Sequence, residues 1–448
     1  MPGLDNKLRG LLFADDVVLL AHDIKSMKGT LRVVERWATK HGMVFGTNKC
    51  GVMKIDGDVE LLKLVGFSLQ GQEVPVVQTY TYLGFPFNSS LNLVEAAKAR
   101  AAKAQTKLNM ATSFLKNKTI PLGPKIDILR SCLLPALTYG SELFGMVKSV
   151  VAPLQSVWGK AVRMLVSGFS TSASLVLCAE FQLYSVYDVA CSLRARAFRK
   201  FPVQLKTIMS DLCENASAKT WYGRTKTWIR RWAGEEALED PSFASGLKLG
   251  LFGRDANWEG NSASTGAQRY VKYSFQTSAG YVEYAIKHSG SLMKYNLGMY
   301  SLVALRAGSF WTANRFAAAG MINRRYRNVC PCCEKRVKES EFHLLAKCTR
   351  WQEQRVASGL YAMICEVREY CHANGIRLTR DECVALLLGG AVGDELLDER
   401  SPWEKEWYMA QGDRRPLFIS LLRYLSSIRS ERIAAIWQHT TRNQSPNG

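Results

Sequence analysis

The order of apolar and polar residues near the start of the chain predicts a β-hairpin followed by a helix. Asp15 and Asp16 separate two short apolar, β-favouring runs, so these acids are expected at the tip of a tight turn. Apolar side chains then recur at helical spacing and predict a helix over about 26–41. After this helix, Gly42 and a strand are expected to lead to Lys49.

Most of the remaining chain has helical periodicity. Residues 95–110 form an Ala-rich segment typical of a helix, and residues 351–448 are also expected to be helical, with a last helix starting between Asp413 and Pro416. A segment rich in Gly, Ser and Asn over 240–266 predicts a loop or linker. One further set of apolar residues predicts the core of a helical bundle: Ile126, Leu129, Leu133 and Leu137. The predicted fold class is α+β, mostly α.

Length and composition narrow the class of protein. A chain of 448 residues predicts two to four domains, and 47% hydrophobic with 22% charged residues excludes a chain disordered throughout. No signal peptide precedes the 12 cysteines, so we expect reduced thiols. No run of eighteen apolar residues is present. These observations predict a soluble intracellular protein of the nucleus or cytoplasm, with no membrane partner.

The charge of the chain points to a polyanionic partner. The formal net charge is +20, which favours nucleic acid over a membrane surface. The whole surplus lies in residues 89–350, which hold 37 basic and 17 acidic side chains. One basic cluster lies on the Ala-rich helix and consists of Lys98, Arg100, Lys103 and Lys107. We therefore expect the middle of the chain to bind the polyanion.

A second basic cluster is interleaved with aromatic residues. It includes Arg224, Arg230 and Arg231, with aromatic residues at Trp221, Tyr222, Trp228 and Trp232. Basic side chains neutralise phosphates and aromatic faces stack on unpaired bases, so this mixture suits single-stranded or irregular RNA. The alternative is a solvated basic face over an ordinary aromatic core.

The adjacent acids in the hairpin suggest a divalent metal. Two neighbouring carboxylates beside apolar surface are unfavourable unless they bind a cation or stay in water. A metal at the turn would stabilise them, and two-metal phosphoryl chemistry needs carboxylates on a rigid turn. A solvent-exposed turn made by Asp15 and Asp16 is the alternative.

Cysteine and histidine residues cluster at a spacing typical of zinc sites. Cys330, Cys333, His343 and Cys348 form the pattern C-x2-C-x9-H-x4-C. Two thiolates on a turn, followed by His and Cys about one helical turn apart, can complete a tetrahedral zinc site. Cys332 neighbours Cys333 and is an alternative ligand. The predicted zinc site could have a structural role or a role in binding nucleic acid. The two roles are compatible.

Four segments of the chain resemble one family of enzymes. Residues 12–21, with the sequence Leu-Phe-Ala-Asp-Asp-Val-Val-Leu-Leu-Ala, are similar to the catalytic hairpin of reverse transcriptases of the non-LTR retrotransposon branch. The segment Tyr80 to Gly84 resembles the hairpin that grips the primer end, and Gly123 to Glu142 resembles the thumb. Residues 341–348 resemble the Cys-Cys-His-Cys finger found C-terminal to many of these polymerases.

The resemblance implies roles for particular residues. Asp15 and Asp16 would contribute to binding catalytic Mg²⁺, and Lys49 would lie near the incoming nucleotide. The family separates an Asn from this Lys by a residue or two, whereas Asn48 is adjacent here. Tyr82 would contact the primer. The expected partners are an RNA template and a DNA primer or target, and Zn²⁺ is the expected metal of the finger.

The resemblance also predicts how the chain is organised. The expected order is a partial polymerase palm with a small antiparallel sheet, a helical thumb, a small zinc finger and a helical C-terminal domain. The boundaries are residues 1–88 for the palm part, 89–239 for the basic thumb, 240–328 for a linker and helical connector, 329–350 for the finger and 351–448 for the C-terminal domain.

We expect this chain to be incomplete for catalysis alone. In the family a third carboxylate comes from a palm strand well upstream of the hairpin, and only fourteen residues precede Asp15. The sequence therefore predicts a C-terminal fragment of an RNA-directed DNA polymerase. The alternative is a non-catalytic, zinc-containing nucleic-acid-binding protein derived from such an element.

Overall fold

The computed structural model describes most of the chain. The described residues are 9–57, 60–166, 174–204, 213, 217–240, 242–247, 265–273, 275, 293–373, 375–390 and 415–438. Most of the predicted linker over 240–266 therefore lies outside the described residues, as does the predicted helix start at Asp413. Among the described helices, none is both long and apolar enough to cross a membrane.

Short hairpins and helices alternate in the first part of the chain. Their bounds are β1 Gly10–Phe13, β2 Asp16–Leu19, α1 Ile24–Lys40, α2 Glu60–Val65, β3 Ser68–Leu69, β4 Gln72–Glu73, β5 Thr79–Tyr82, β6 Phe85–Asn88 and α3 Leu93–Lys116.

The rest of the described chain is helical. The helices are α4 Leu122–Ile128, α5 Leu134–Thr138, α6 Ser141–Phe144, α7 Lys148–Leu165, α8 Ser174–Glu180, α9 Val186–Gln204, α10 Trp221–Ala233, α11 Thr265–Lys272, α12 Asn296–Arg306, α13 Ala313–Ala318, α14 Gln352–Ser358, α15 Leu360–Ala373, α16 Arg380–Leu387 and α17 Arg415–Trp437. The fold is α+β and mostly α, as predicted.

Contacts divide the chain into two units, each built from separated segments. The first unit comprises Met1–Gln105, Ala136–Ser156 and Val186–Gly250, and the second comprises Thr106–Pro135, Val157–Ser185 and Leu251–Gly448. The five domains predicted from the sequence stay a prediction.

The strands of the first unit pair as three separate antiparallel hairpins, β1–β2, β3–β4 and β5–β6. A small core lies beside them, formed by Leu31, Val52, Leu62, Phe67, Leu69 and Val74. Helix α1 begins at a capping box in which the Ser26 amide donates to the Asp23 carboxylate at 2.7 Å. The predicted hairpin and helix are therefore both present.

The prediction of a strand leading to Lys49 is wrong. Residues 43–46 belong to no strand, and a 3₁₀-helix follows at Thr47–Lys49. The side-chain amide of Gln70 takes the place of a partner strand, because its oxygen accepts from the Phe45 N–H at 2.9 Å and its nitrogen donates to the Met43 carbonyl at 2.8 Å. The extended segment thus satisfies its backbone groups without a ladder.

Of the four predicted bundle residues, three lie in the second unit and Leu137 lies in the first. Ile126, Leu129, Leu133 and Leu137 are all buried. A π-helical segment, Leu129–Leu133, joins α4 to α5. Helix α17 buries the apolar face that the sequence predicts, with Phe418, Leu421, Leu422, Leu425 and Ile428.

Helix α17 packs closely on α12. At Gly298 a side-chain carbon would overlap the Leu422 carbonyl oxygen, so this contact requires glycine. The Gly298 N–H donates to the Ser426 hydroxyl at 2.9 Å.

Candidate functional site

The predicted catalytic acids lie at an exposed hairpin tip. Phe13 pairs with Asp16, so Ala14 and Asp15 form the two-residue turn, with Ala14 at a φ of +51°. Both carboxylates are exposed. The apolar side chains of the hairpin are exposed as well, with Leu12 at 78% and Phe13 at 61%. The hairpin therefore presents an uncovered apolar surface next to its two acids.

The segment that ends at Lys49 packs, through Phe45, on the same small core as Leu19 at the end of this hairpin. The Tyr80 hydroxyl donates to the Lys49 carbonyl at 2.6 Å. Burial raises the pKa of Tyr80, and the nearby charges of Cys50 and Asp16 raise it further. Tyr80 thus holds the Lys49 carbonyl and lies within range of the Asp16 charge, while the Lys49 side chain is exposed.

The hairpin that carries Tyr82 is held by contacts that the sequence did not predict. Its turn, Leu83 and Gly84, has φ values of +47° and +74°, as a tight two-residue turn requires. The Tyr139 hydroxyl donates to the Leu83 carbonyl, and Tyr82 is half-buried. Tyr139 lies in the segment that resembles a thumb, so this hydrogen bond ties that segment to the hairpin.

Arg100 differs from the rest of its basic cluster. Its guanidinium donates to the Ala136 carbonyl at 2.7 Å and to the Gly84 carbonyl at 3.3 Å, and lies 4.7 Å from the Tyr139 ring centre. Burial lowers the pKa of Arg100. These contacts give Arg100 a role in positioning the β5–β6 hairpin. The binding of nucleic acid by Arg100 stays a prediction.

The other members of that cluster lie on an exposed face. Lys98, Lys103 and Lys107 are exposed, as is Lys116 at the end of α3. The opposite face of α3 is buried through Ala97, Ala101, Ala104, Leu108 and Leu115. The helix carries one acid, Glu95 in its first turn. Most of α3 therefore presents a cationic face without neighbouring acids on the same helix.

The three arginines of the second cluster are all exposed, but one of them is paired. Arg224 and Arg231 are exposed on α10, whereas Arg230 forms an ion pair with Glu235, with one N···O distance of 2.6 Å. Exposed ion pairs of this kind are weak, so Glu235 competes only modestly with a phosphate for Arg230.

The aromatic residues of this cluster pack on one another. The rings of Phe198 and Tyr222 stack with centroids 4.4 Å apart, and those of Trp228 and Trp232 lie 5.7 Å apart. Phe198 is buried, whereas the other three rings are half-buried, so their packing on one another neither places them in the core nor requires a role in base stacking.

The predicted zinc ligands come together. One ligand atom from each of Cys330, Cys333, His343 and Cys348 lies within 4.8 Å of the others. His343 Nε2 and Cys333 Sγ are 3.4 Å apart. Such a set of three sulfurs and one imidazole nitrogen matches a structural zinc site. The cluster can therefore hold a metal such as zinc.

Local backbone geometry brings these ligands together. Glu334 adopts a φ of +57°, and its N–H donates to the Cys330 carbonyl at 2.8 Å, which turns the chain back at the first pair of cysteines. A π-helical turn over His343–Lys347 brings the Cys348 N–H to the His343 carbonyl at 2.7 Å. Single π turns of this kind are common at functional sites.

Cys332 is the alternative to Cys333 as a ligand. With Cys330 and Glu339 it forms a second possible metal group, and its Sγ is 3.9 Å from a Glu339 oxygen. Arg432, however, donates to both carboxylate oxygens of Glu339 at 2.9 Å. This pairing favours Cys333 as the ligand, because Glu339 already neutralises a buried cation.

The thiols influence one another. Hydrogen bonds from Cys332 and Cys348 lower the pKa of the Cys330 thiol, and the Cys348 pKa is raised in turn. A thiolate at Cys330 is the form that binds zinc.

Residues outside the finger support it, and the spacing of the ligands carries no signal for them. The Tyr424 hydroxyl donates to the Leu344 carbonyl, and Arg355 donates to the Cys348 carbonyl at 2.6 Å. Glu339 is fully buried and Arg432 nearly so. The finger is thus packed against α14 and α17 and does not stand alone.

Comparisons with known proteins give one informative match. The chain is 27% identical over 162 residues to a putative uncharacterized transposon-derived protein of Caenorhabditis elegans. The match covers 36% of this chain and 57% of that relative's length. No family model matches the chain, and no solved structure matches it. The similarity supports a transposon-related origin.

Proposed function

We propose that this chain is the C-terminal part of the RNA-directed DNA polymerase of a non-LTR retrotransposon, and that it binds the RNA template and DNA primer. The main observation is the hairpin tip: Asp15 and Asp16 are exposed there, and Tyr80, which donates to the Lys49 carbonyl, lies within range of the Asp16 charge. Such an arrangement suits carboxylates that bind catalytic Mg²⁺ beside a nucleotide. The transposon-derived relative agrees with this origin.

The exposed apolar surface of the hairpin supports an incomplete palm. Leu11, Leu12, Phe13 and Val17 are all exposed. An isolated two-stranded hairpin is at best marginally stable in water, so this surface calls for a covering element. We infer that a further palm segment of the polymerase packs here and supplies the third carboxylate.

The binding function is expected to use the cationic face of α3. Each lysine that neutralises a phosphate of a duplex contributes about −0.9 to the slope of log K against log salt. The double variant Lys103→Ala/Lys107→Ala should therefore bind a primed RNA template more weakly and reduce that slope by roughly 2. Lys40→Ala, an exposed lysine at the end of α1, serves as the matched control. Equal affinity of the double variant and the control would exclude this face.

Primer extension tests the catalytic part of the proposal. The purified chain should bind a DNA primer annealed to RNA and incorporate no nucleotide, since it supplies two of three carboxylates. Incorporation by this chain that Asp15→Ala abolishes would refute the claim of incompleteness. Absence of any nucleic-acid binding near physiological salt would refute the function as a whole.

A non-catalytic nucleic-acid-binding protein derived from such an element is the second candidate. The cationic face of α3 and the Cys/His cluster do not depend on the hairpin acids, which favours this alternative. Asp15→Asn distinguishes the two when the rest of the polymerase is supplied, because it should abolish nucleotide incorporation by a complete polymerase and leave every activity of a pure binding protein unchanged.

A further inference from the structure

A cleft in the second unit is not explained by the zinc cluster or the hairpin acids. It has a volume of about 500 Å³ and is lined by residues of α12, α13 and α17, by the chain between α12 and α13, and by Lys118 and Val166, which follow α3 and α7. This volume is typical of sites for small organic ligands. The lining includes no acidic side chain among the described residues.

One wall of the cleft is aromatic. The ring centroids of Trp311 and Phe316 are 5.0 Å apart, and those of Phe316 and Trp437 are 6.3 Å apart. Trp437 is 50% exposed although it belongs to the lining. A large indole that remains half in water at a cleft offers a surface on which a flat ring can stack.

The cleft also contains two cations that have no carboxylate partner among the described residues. Arg429 donates to the Ser301 hydroxyl at 2.8 Å and to the Leu297 carbonyl at 3.2 Å, both of which are neutral. Lys118 and Arg429 repel each other: burial lowers the pKa of Lys118, and the charge of Arg429 lowers it further. The third cation, Arg432, is neutralised by Glu339. Lys118 and Arg429 therefore favour an anionic ligand.

We propose that this cleft binds one unpaired nucleotide of a single-stranded nucleic acid, with the base against Trp437 and Phe316 and the phosphate at Lys118 and Arg429. The proposal rests on the proposed nucleic-acid-binding function and names where an unpaired nucleotide is held. Every base has a flat face, and stacking on an aromatic side chain contributes about 1–3 kcal/mol per base. An aromatic wall beside two cations matches a base joined to a phosphate.

Fluorescent oligonucleotides test this proposal. Single-stranded RNA and DNA of the same sequence would each carry one 2-aminopurine, and matched strands would carry an abasic residue at that position. On binding, stacking should quench 2-aminopurine. Trp437→Ala should bind intact strands about 5- to 150-fold more weakly than the wild-type protein does, because the stacking contact is lost. The wild-type protein should bind abasic strands more weakly by the same factor, for the same reason. Lys118→Ala should reduce the salt slope by about 0.7.

The matched controls lie on α1. Trp37 is 52% exposed, close to the exposure of Trp437, so Trp37→Ala should bind as the wild type does. Lys40→Ala is the control for Lys118→Ala. The abasic strands test the cleft without any mutation, so the result does not depend on the folding of a variant.

The outcomes separate this proposal from the proposed function. If the wild-type protein binds intact and abasic strands equally and Trp437→Ala changes nothing, the cleft does not hold a nucleotide, although nucleic-acid binding stands. That result would favour an apolar polypeptide segment as the occupant of the cleft. If the wild-type protein binds neither RNA nor DNA, both proposals are overturned. If the wild-type protein prefers RNA or DNA and Trp437→Ala removes that preference, the result would support the proposal. It would also identify which of the two nucleic acids the cleft binds.

Discussion

The buried ion pair between Glu339 and Arg432 provides a quantitative test of how the finger is held. The Glu339 carboxylate is fully buried, and it accepts from two nitrogens of Arg432 at 2.9 Å and from the Ala313 N–H. Glu339→Gln keeps the shape of the side chain and removes its charge. The Arg432 cation then remains buried without a counter-charge.

The size of the effect follows from this burial. Breaking a buried ion pair by removing one partner costs about 3–5 kcal/mol. Because Gln still accepts a hydrogen bond, we expect the lower end, about 3 kcal/mol, which corresponds to a more than roughly 100-fold increase in the local opening equilibrium. The double variant Glu339→Gln/Arg432→Met leaves no unpaired charge. Its cost should be about 2 kcal/mol less than the sum of the two single variants.

Amide hydrogen exchange measures local opening without assuming that the whole chain unfolds in one step. In the Glu339→Gln variant, the protection of backbone amides against exchange should fall in α17 and in the finger. The control is Glu431→Gln, which removes an exposed pair with Arg350 and should cost below about 1 kcal/mol. The reasoning would be refuted if Glu339→Gln reduced the free energy of local opening no more than Glu431→Gln does, and if the effect of the double variant equalled the sum of the two single variants. Loss of bound zinc from Glu339→Gln at unchanged protection would instead identify Glu339 as a ligand.

Three further predictions concern the metal, the pH and a helix contact. Cys333→Ser should lose bound zinc and Cys332→Ser should keep about one equivalent, as measured by elemental analysis; the reverse result would exchange their roles. Burial lowers the pKa of Lys125 to about 8, below that of the unfolded chain, so its protonation opposes folding. From pH 7 to 9 the free energy of unfolding of the wild type should therefore rise relative to Lys125→Met, by on the order of 1 kcal/mol; a pH-independent difference would contradict this. Gly298→Ala should destabilise the α12–α17 contact by about 1–3 kcal/mol in thermal unfolding. Gly246→Ala, where an added carbon meets no atom within 4 Å, should have little effect.

Features encoded within a short segment were predictable from the sequence. The hairpin at Asp15 and Asp16 and helix α1 follow from local alternation and periodicity. The ligand spacing of the finger predicted a cluster that the structure brings together. The strand leading to Lys49 was predicted wrongly, because Gln70 satisfies its backbone groups from a distant position.

The sequence by itself determined that the chain is mostly helical, that its positive charge lies in the middle, and that a Cys/His cluster and an acidic hairpin are present. These properties depend on residues that are close in sequence. Only the tertiary structure decided that Arg100 holds a hairpin turn, that Tyr80 holds the Lys49 carbonyl, and that Arg432 neutralises Glu339 from 93 residues away. Such contacts are invisible to periodicity, because a buried charge finds its partner through the packing of whole helices.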